Sequence, residues 1–107
     1  MHWIYAHLIG DYLIQTDWMA LNKKKSTWIC VIHIITYIIP YLWTGLGLDK
    51  ILLIGIEHFI QDRWNLVYWL MEKTGHNKFN KPPMAPWSII VTDNILHILW
   101  VAWVASL

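Results

Sequence analysis

Residues 27–48, TWICVIHIITYIIPYLWTGLGL, hold no formally charged side chain and one histidine, His33. At 1.5 Å per residue, a helix of that length crosses a bilayer hydrocarbon core of roughly 30 Å. Residues 87–107, WSIIVTDNILHILWVAWVASL, read the same way, with Asp93 as their single charge. Two further runs have the right length and are more polar. Residues 51–71, ILLIGIEHFIQDRWNLVYWLM, carry Glu57, His58, Asp62 and Arg63, and residues 2–21 carry Asp11 and Asp17. A charge inside a membrane costs about 2.5–3.5 kcal/mol on insertion scales, tolerable where a polar stripe faces the interior of a bundle. The pattern therefore predicts an all-α fold, a polytopic membrane protein built as a four-transmembrane-helix bundle. Its helices are expected at about 2–21, 27–48, 50–72 and 87–106, in one domain over 1–107.

Composition points in the same direction. Of 107 residues, 57% are apolar and 14% charged, against roughly 25% charged in an ordinary soluble domain. A chain this apolar buries surface, which excludes disorder. A net charge of +1 offers no reason to expect a nucleic-acid partner. Cys30 is the lone cysteine, so no intramolecular disulfide and no cysteine-based zinc module can form. Nine tryptophans suit membrane–water interfaces, where the ring can sit half wet.

The connections follow. Asn22–Ser26 reads as a short basic loop with Ser26 as an N-cap, Gly45–Asp49 as a tight turn, and 73–86, with three prolines, as a long loop. Pro40 is expected to kink the second helix or end its regular part early. Lys23, Lys24 and Lys25 fall in one loop and Lys73, Lys78 and Lys81 in the other loop on the same side, against Lys50 opposite. That asymmetry predicts a multi-pass protein of a bacterial inner membrane with both termini extracytoplasmic. The expected partner is the lipid bilayer, and a homo-oligomer is compatible with the surface.

The polar residues carry the chemistry. His7 and Asp11, His58 and Asp62, and Asp93 and His97 are each four apart, which places both members on one helix face. Chance spacing of the six histidines and five aspartates present yields about 0.6 such pairs. Three occur, on three different expected helices, and His33 is the ionisable group of the fourth. Counted along the helices, all seven groups fall in a band roughly 12 Å deep. Imidazole with carboxylate is a ligand set for zinc, iron or manganese. His7, Asp11, His33, His58, Asp62, Asp93 and His97 are thus the candidate metal ligands. Seven donors exceed the three or four that one zinc needs, which predicts one or two divalent metal ions, with zinc preferred.

Gln15 extends the His7–Asp11 stripe by another step of four, Asn65 follows Asp62 by three, and Asn94 adjoins Asp93. These amides suit the orientation of ligands. Arg63 is read as pairing with Glu57 or Asp62, or as binding an anionic substrate. Asp17, near a helix end, is read as structural, and Cys30 as a packed small residue.

The stretch His7–Ala20, HLIGDYLIQTDWMA, followed by Asn22–Ser26, NKKKS, resembles a small bacterial and phage membrane-protein family known as a domain of unknown function, number three-three-zero-seven. His58–Asp62, HFIQD, and Thr92–His97, TDNILH, fit its pattern too. The chain departs from that pattern at Asn94, where glutamine is commoner, and at Arg63, near which a lysine is commoner. The resemblance implies no activity. From the chemistry the expectation is a membrane-embedded metal-dependent hydrolase acting on a lipid, a lipid-linked phosphate or a membrane peptide. Asp11, Asp62 and Asp93 are its candidate catalytic carboxylates. The alternatives are a metal or proton transporter component, or a non-catalytic membrane protein acting on a partner.

Overall fold

The first expected helix is three pieces. A computed structural model describes residues 1–107. In it α1 (Trp3–Leu8) passes into a π-helical turn, Ile9–Leu13, and the chain leaves helical geometry at 14–16. Thr16 then caps α2 (Asp17–Asn22), its hydroxyl accepting from the Met19 N–H at 3.3 Å. Satisfying an orphan N–H this way stabilises a new start by about 1 kcal/mol.

Ser26 caps α3 (Thr27–Ile38) in the expected manner, accepting from the Ile29 N–H at 3.4 Å. Beyond Ile38 the chain tightens into a 3-10 turn, Ile39–Trp43, with Pro40 buried in it. Proline cannot donate the next helical bond, which ends the α-helix early. The turn that follows uses Gly45 at φ +82°, a left-handed conformation that favours glycine. Next come α4 (Leu48–Arg63) and α5 (Leu66–Lys73). They are separated at Trp64, whose backbone is extended. Lys24 fastens this break: its ammonium donates to the carbonyls of Asp62 at 3.0 Å and Trp64 at 3.2 Å. A cation on terminal carbonyls complements the negative end of a helix. The 74–86 segment is a run of turns, and α6 (Trp87–Ala105) closes the chain.

Helix α4 packs between α3 and α6, and α1 closes against α6 and the 3-10 turn. One end of this assembly is apolar, with Ala6, Tyr37, Tyr41, Ile51, Ile54, Val101 and Val104 in contact. The middle is polar: His7, Asp11, His33, His58, Gln61, Asp62 and His97 are buried there, so the interior is organised around a polar centre. Large apolar side chains such as Leu13, Trp28 and Leu48 lie on the surface. The radius of gyration, 13.9 Å, is close to the roughly 13 Å of a compact folded domain of this length.

The four-transmembrane-helix bundle is overturned by these boundaries. One helix, Trp87–Ala105, is long and apolar enough to cross a membrane. The expected 2–21 span breaks at 14–16, the 27–48 span holds a 12-residue α-helix, and the 50–72 span breaks at Trp64. With the bundle go the multi-pass inner-membrane location, the two extracytoplasmic termini, the lipid bilayer as partner, and the membrane-embedded hydrolase with its lipid or membrane-peptide substrates. The transporter and membrane-partner alternatives, which assumed the same bundle, fall as well. Hydropathy averages over a window and is blind to caps. Thr16, Lys24 and Trp64 redirect the backbone locally at little cost to the average.

Candidate metal centre

Helix α4 presents His58 and Asp62 one turn apart, with 3.0 Å between His58 Nε2 and Asp62 Oδ2. His33, from α3, brings its Nε2 to 2.9 Å from the same carboxylate oxygen and 3.1 Å from His58 Nε2. The π-helical turn supplies Asp11, whose Oδ1 lies 3.6 Å from both imidazole nitrogens. A π-turn inserts an extra residue into a helix and re-aims the side chains around it, a frequent device at functional sites. All four residues are buried.

Four ligands held about 2.0–2.2 Å from a tetrahedral ion lie about 3.3–3.6 Å from one another. Of the five separations above, the two from Asp11 meet that edge at 3.6 Å, and the three among His33, His58 and Asp62, at 2.9–3.1 Å, are shorter by a few tenths of an ångström. His33 and His58 both turn Nε2 to the centre, while each Nδ1 is buried without a hydrogen-bond partner. A ligating histidine ordinarily donates that second N–H. The buried His/Asp cluster has the composition and spacing to coordinate a divalent metal ion.

Asp62 also faces a second group. Its Oδ1 lies 3.1 Å from His97 Nε2, which is 3.4 Å from Asp93 Oδ2. Glu57 Oε2 approaches the other nitrogen of His97 at 3.4 Å. Asp62 therefore divides its two oxygens between two ligand sets. The rings of Tyr37, His58 and His97 stack in series, with centroids 3.7 and 3.8 Å apart, which fixes the plane of His58.

Burial opposes the charged form of every group here, and the neighbours decide the outcome. Burial pushes the Asp11 carboxyl up, but the His58 imidazole outweighs it and the pKa falls to about 2. Asp62 is lifted by burial and driven well below the usual carboxylate range by His58, His33 and His97. Burial prevails at His33 and lowers it. At His58 the charge of Asp62 overcomes burial and raises it, and at His97 Asp62, Asp93 and Glu57 together raise it well above its ordinary value. Ionised Asp11 and Asp62 with a neutral His33 are the protonation states that ligate metal, whereas His58 and His97, both raised, must give up a proton to do so. A bound divalent ion would supply Lewis acidity at this point.

The other expected site residues take different places. His7 is buried beside the cluster but stands outside each ligand group, its Nδ1 2.8 Å from the Tyr37 hydroxyl and its Nε2 2.6 Å from Asn94 Oδ1. The π-turn runs between His7 and Asp11, so four residues no longer close one α-helical turn. Gln15 donates to the Asp11 carbonyl at 2.9 Å and accepts from Lys23 at 3.0 Å. Asn65 lines the cleft beside the cluster. Arg63 is elsewhere: it donates to Thr27 Oγ1 at 2.9 Å and to the Lys24 carbonyl at 2.6 Å, fastening α4 to the start of α3. Asp17 opens α2, away from the cluster.

Three participants escaped the sequence reading. Lys23, placed in a loop by its neighbours, reaches back to Asp62 Oδ2 at 2.9 Å. Gln61 donates to both the carbonyl and the Oδ1 of Asp93 at 2.8 Å. Glu57 approaches His97. Glu57 is four residues before Gln61 on one face of α4, and that spacing is the only signal that pointed to the last two.

Fold and site define the class: a helical protein with a buried His/Asp cluster, able to coordinate a divalent metal ion, built from three different helices and a π-turn. The chain belongs to the family described as Protein of unknown function (DUF3307), whose model matches residues 1–107. Comparison with curated proteins and with solved structures found no match.

Proposed function

We propose that this protein is a divalent-metal-binding protein with a two-ion centre. One ion is held by Asp11, His33, His58 and Asp62, and the second by Asp62, Asp93 and His97, with Asp62 shared between them. The observation that carries the reading is the convergence of those four buried donors, whose ligand atoms all lie within 4.8 Å of one another. Zinc is the preferred metal, because a donor set of two imidazoles and two carboxylates suits it. Sharing one carboxylate suits paired ions, which sit about 3.5–4 Å apart in known two-metal sites. His7 and Asn94 serve to position the stacked rings, and Gln15 the Asp11 backbone. Of the three aspartates read as catalytic, Asp11 and Asp62 act as ligands. Asp93 is a ligand as well, and with its side chain 23% exposed it is the one that borders the cleft.

Metal analysis of purified protein after equilibration with zinc tests this directly. Two equivalents are expected for the wild type, one each for Asp11→Asn and Asp93→Asn, and none held tightly by Asp62→Asn. One equivalent in the wild type would remove the second ion. No bound metal in any preparation would end the proposal.

A further inference from the structure

The polar centre is not sealed. A cleft of roughly 300 Å³ leads from it to the surface, between the π-turn, α2, α5 and the start of α6. Asp11, Asp62 and Asp93 line it, together with Lys23 and Lys24. The rest of the lining is mainly apolar or aromatic, with Tyr12, Val67, Tyr68, Ile89 and Ile90. The two lysines differ in what they can offer. The Lys24 ammonium is spent on the carbonyls at the end of α4. Lys23 gives one N–H to Gln15 and one to Asp62, and an ammonium has three. One donor is left for a ligand in the cleft.

We propose that the cleft binds a phosphate monoester with an apolar organic body. Its phosphate faces the metal centre from the cleft and takes the free N–H of Lys23 at its side, and its body lies against Val67, Tyr68, Ile89 and Ile90. This rests on the two-ion reading above, and the charges show why. Without metal, three carboxylates against two lysines leave the cleft one net negative charge, which repels a phosphate. Two divalent ions change that to three net positive charges, which attracts a doubly charged one. A compact ammonium suits phosphate as a point charge. The apolar walls add affinity only when the phosphate carries a body to cover them.

Isothermal titration calorimetry of zinc-loaded protein, with metal content measured on the same samples, tests the proposal with inorganic phosphate and phenyl phosphate as probes. Both bind the loaded wild type, phenyl phosphate about 10-fold tighter, and neither binds after chelation. Lys23→Gln retains its metal and loses about 10–100-fold in affinity for both probes. As a check independent of that variant, loading with Mn²⁺ should broaden the ³¹P line of bound phenyl phosphate. The inference fails if metal-loaded protein binds neither probe, if binding survives chelation, if Lys23→Gln binds phosphate as well as the wild type while holding metal, or if the ³¹P line is unaffected. Protein that takes up no metal at all would instead sink the metal reading beneath it, so the two failures are distinguishable.

Discussion

Gly10 lies within the π-turn that delivers Asp11, and its replacement by alanine is a stringent test of the packing. A Cβ placed on Gly10 would stand 2.7 Å from the Tyr37 carbonyl oxygen, 2.8 Å from Tyr37 Cδ1 and 3.1 Å from Tyr37 Cα. Ordinary carbon contacts lie at about 3.5–4.0 Å, so the turn and α3 would have to separate by roughly 0.7–1 Å. Two of the three atoms met are backbone and cannot rotate away. Overpacking of this kind costs about 1–3 kcal/mol, and the better helix propensity of alanine returns up to about 1 kcal/mol. A net loss of about 1–2 kcal/mol corresponds to a fall in Tm of roughly 5–10 °C for a domain of this size. Gly55→Ala is the internal control, because its Cβ would meet only the Ile38 and Ile34 Cγ2 methyls, at 3.3 and 3.5 Å. Those side chains can shift, so its Tm should change by no more than about 3 °C. Circular dichroism melts of the two variants read the difference. Displacing the turn also moves Asp11, and zinc affinity of Gly10→Ala should fall about 10–100-fold, as when an orienting group around a metal is lost. A Gly10→Ala protein as stable as Gly55→Ala would refute the close approach and the placement of Asp11 that depends on it.

Lys24→Met removes the cation from the carbonyls that end α4 and should lower stability by about 0.5–1 kcal/mol, seen as a lower urea midpoint with an unchanged slope. Ser26→Ala should cost about 1 kcal/mol through loss of the α3 cap, measured the same way. Burial pushes the Cys30 thiol up to about 11. The reactive thiolate is the deprotonated form, so alkylation by iodoacetamide should be negligible at pH 7.5 in the folded protein and fast once it is unfolded in urea. Prompt labelling of native protein would contradict that burial. His7→Ala should leave metal stoichiometry unchanged, as read by metal analysis, because both ring nitrogens are engaged by Tyr37 and Asn94; loss of an equivalent would return His7 to the ligand set.

What was legible in the sequence was whatever depends on neighbours along one helix. The spacing of His58 to Asp62 and of Asp93 to His97 survives folding because each pair lies within a continuous α-helix, where residues four apart share a face. The early end of α3 followed from Pro40, and its start from Ser26, both local chemistry. His7 and Asp11 carry the same spacing, yet His7 bonds Tyr37 and Asn94, since the π-turn between them rotates one against the other. That turn exists because Gly10 allows the chain to press against Tyr37, a contact between residues 27 positions apart that no window along the chain contains. Lys23 belongs by sequence to a basic loop and by structure to the buried centre, because α2, restarted after the break at Thr16, packs on α3 and leaves Lys23 at its end within reach of Asp62. The breaks at Thr16 and Trp64 also decided against four spanning helices. Hydropathy adds up the transfer energy of side chains, whereas a helix ends where its backbone hydrogen bonds find other partners, and those partners were supplied by Thr16 at one break and by Lys24, from another part of the chain, at the other.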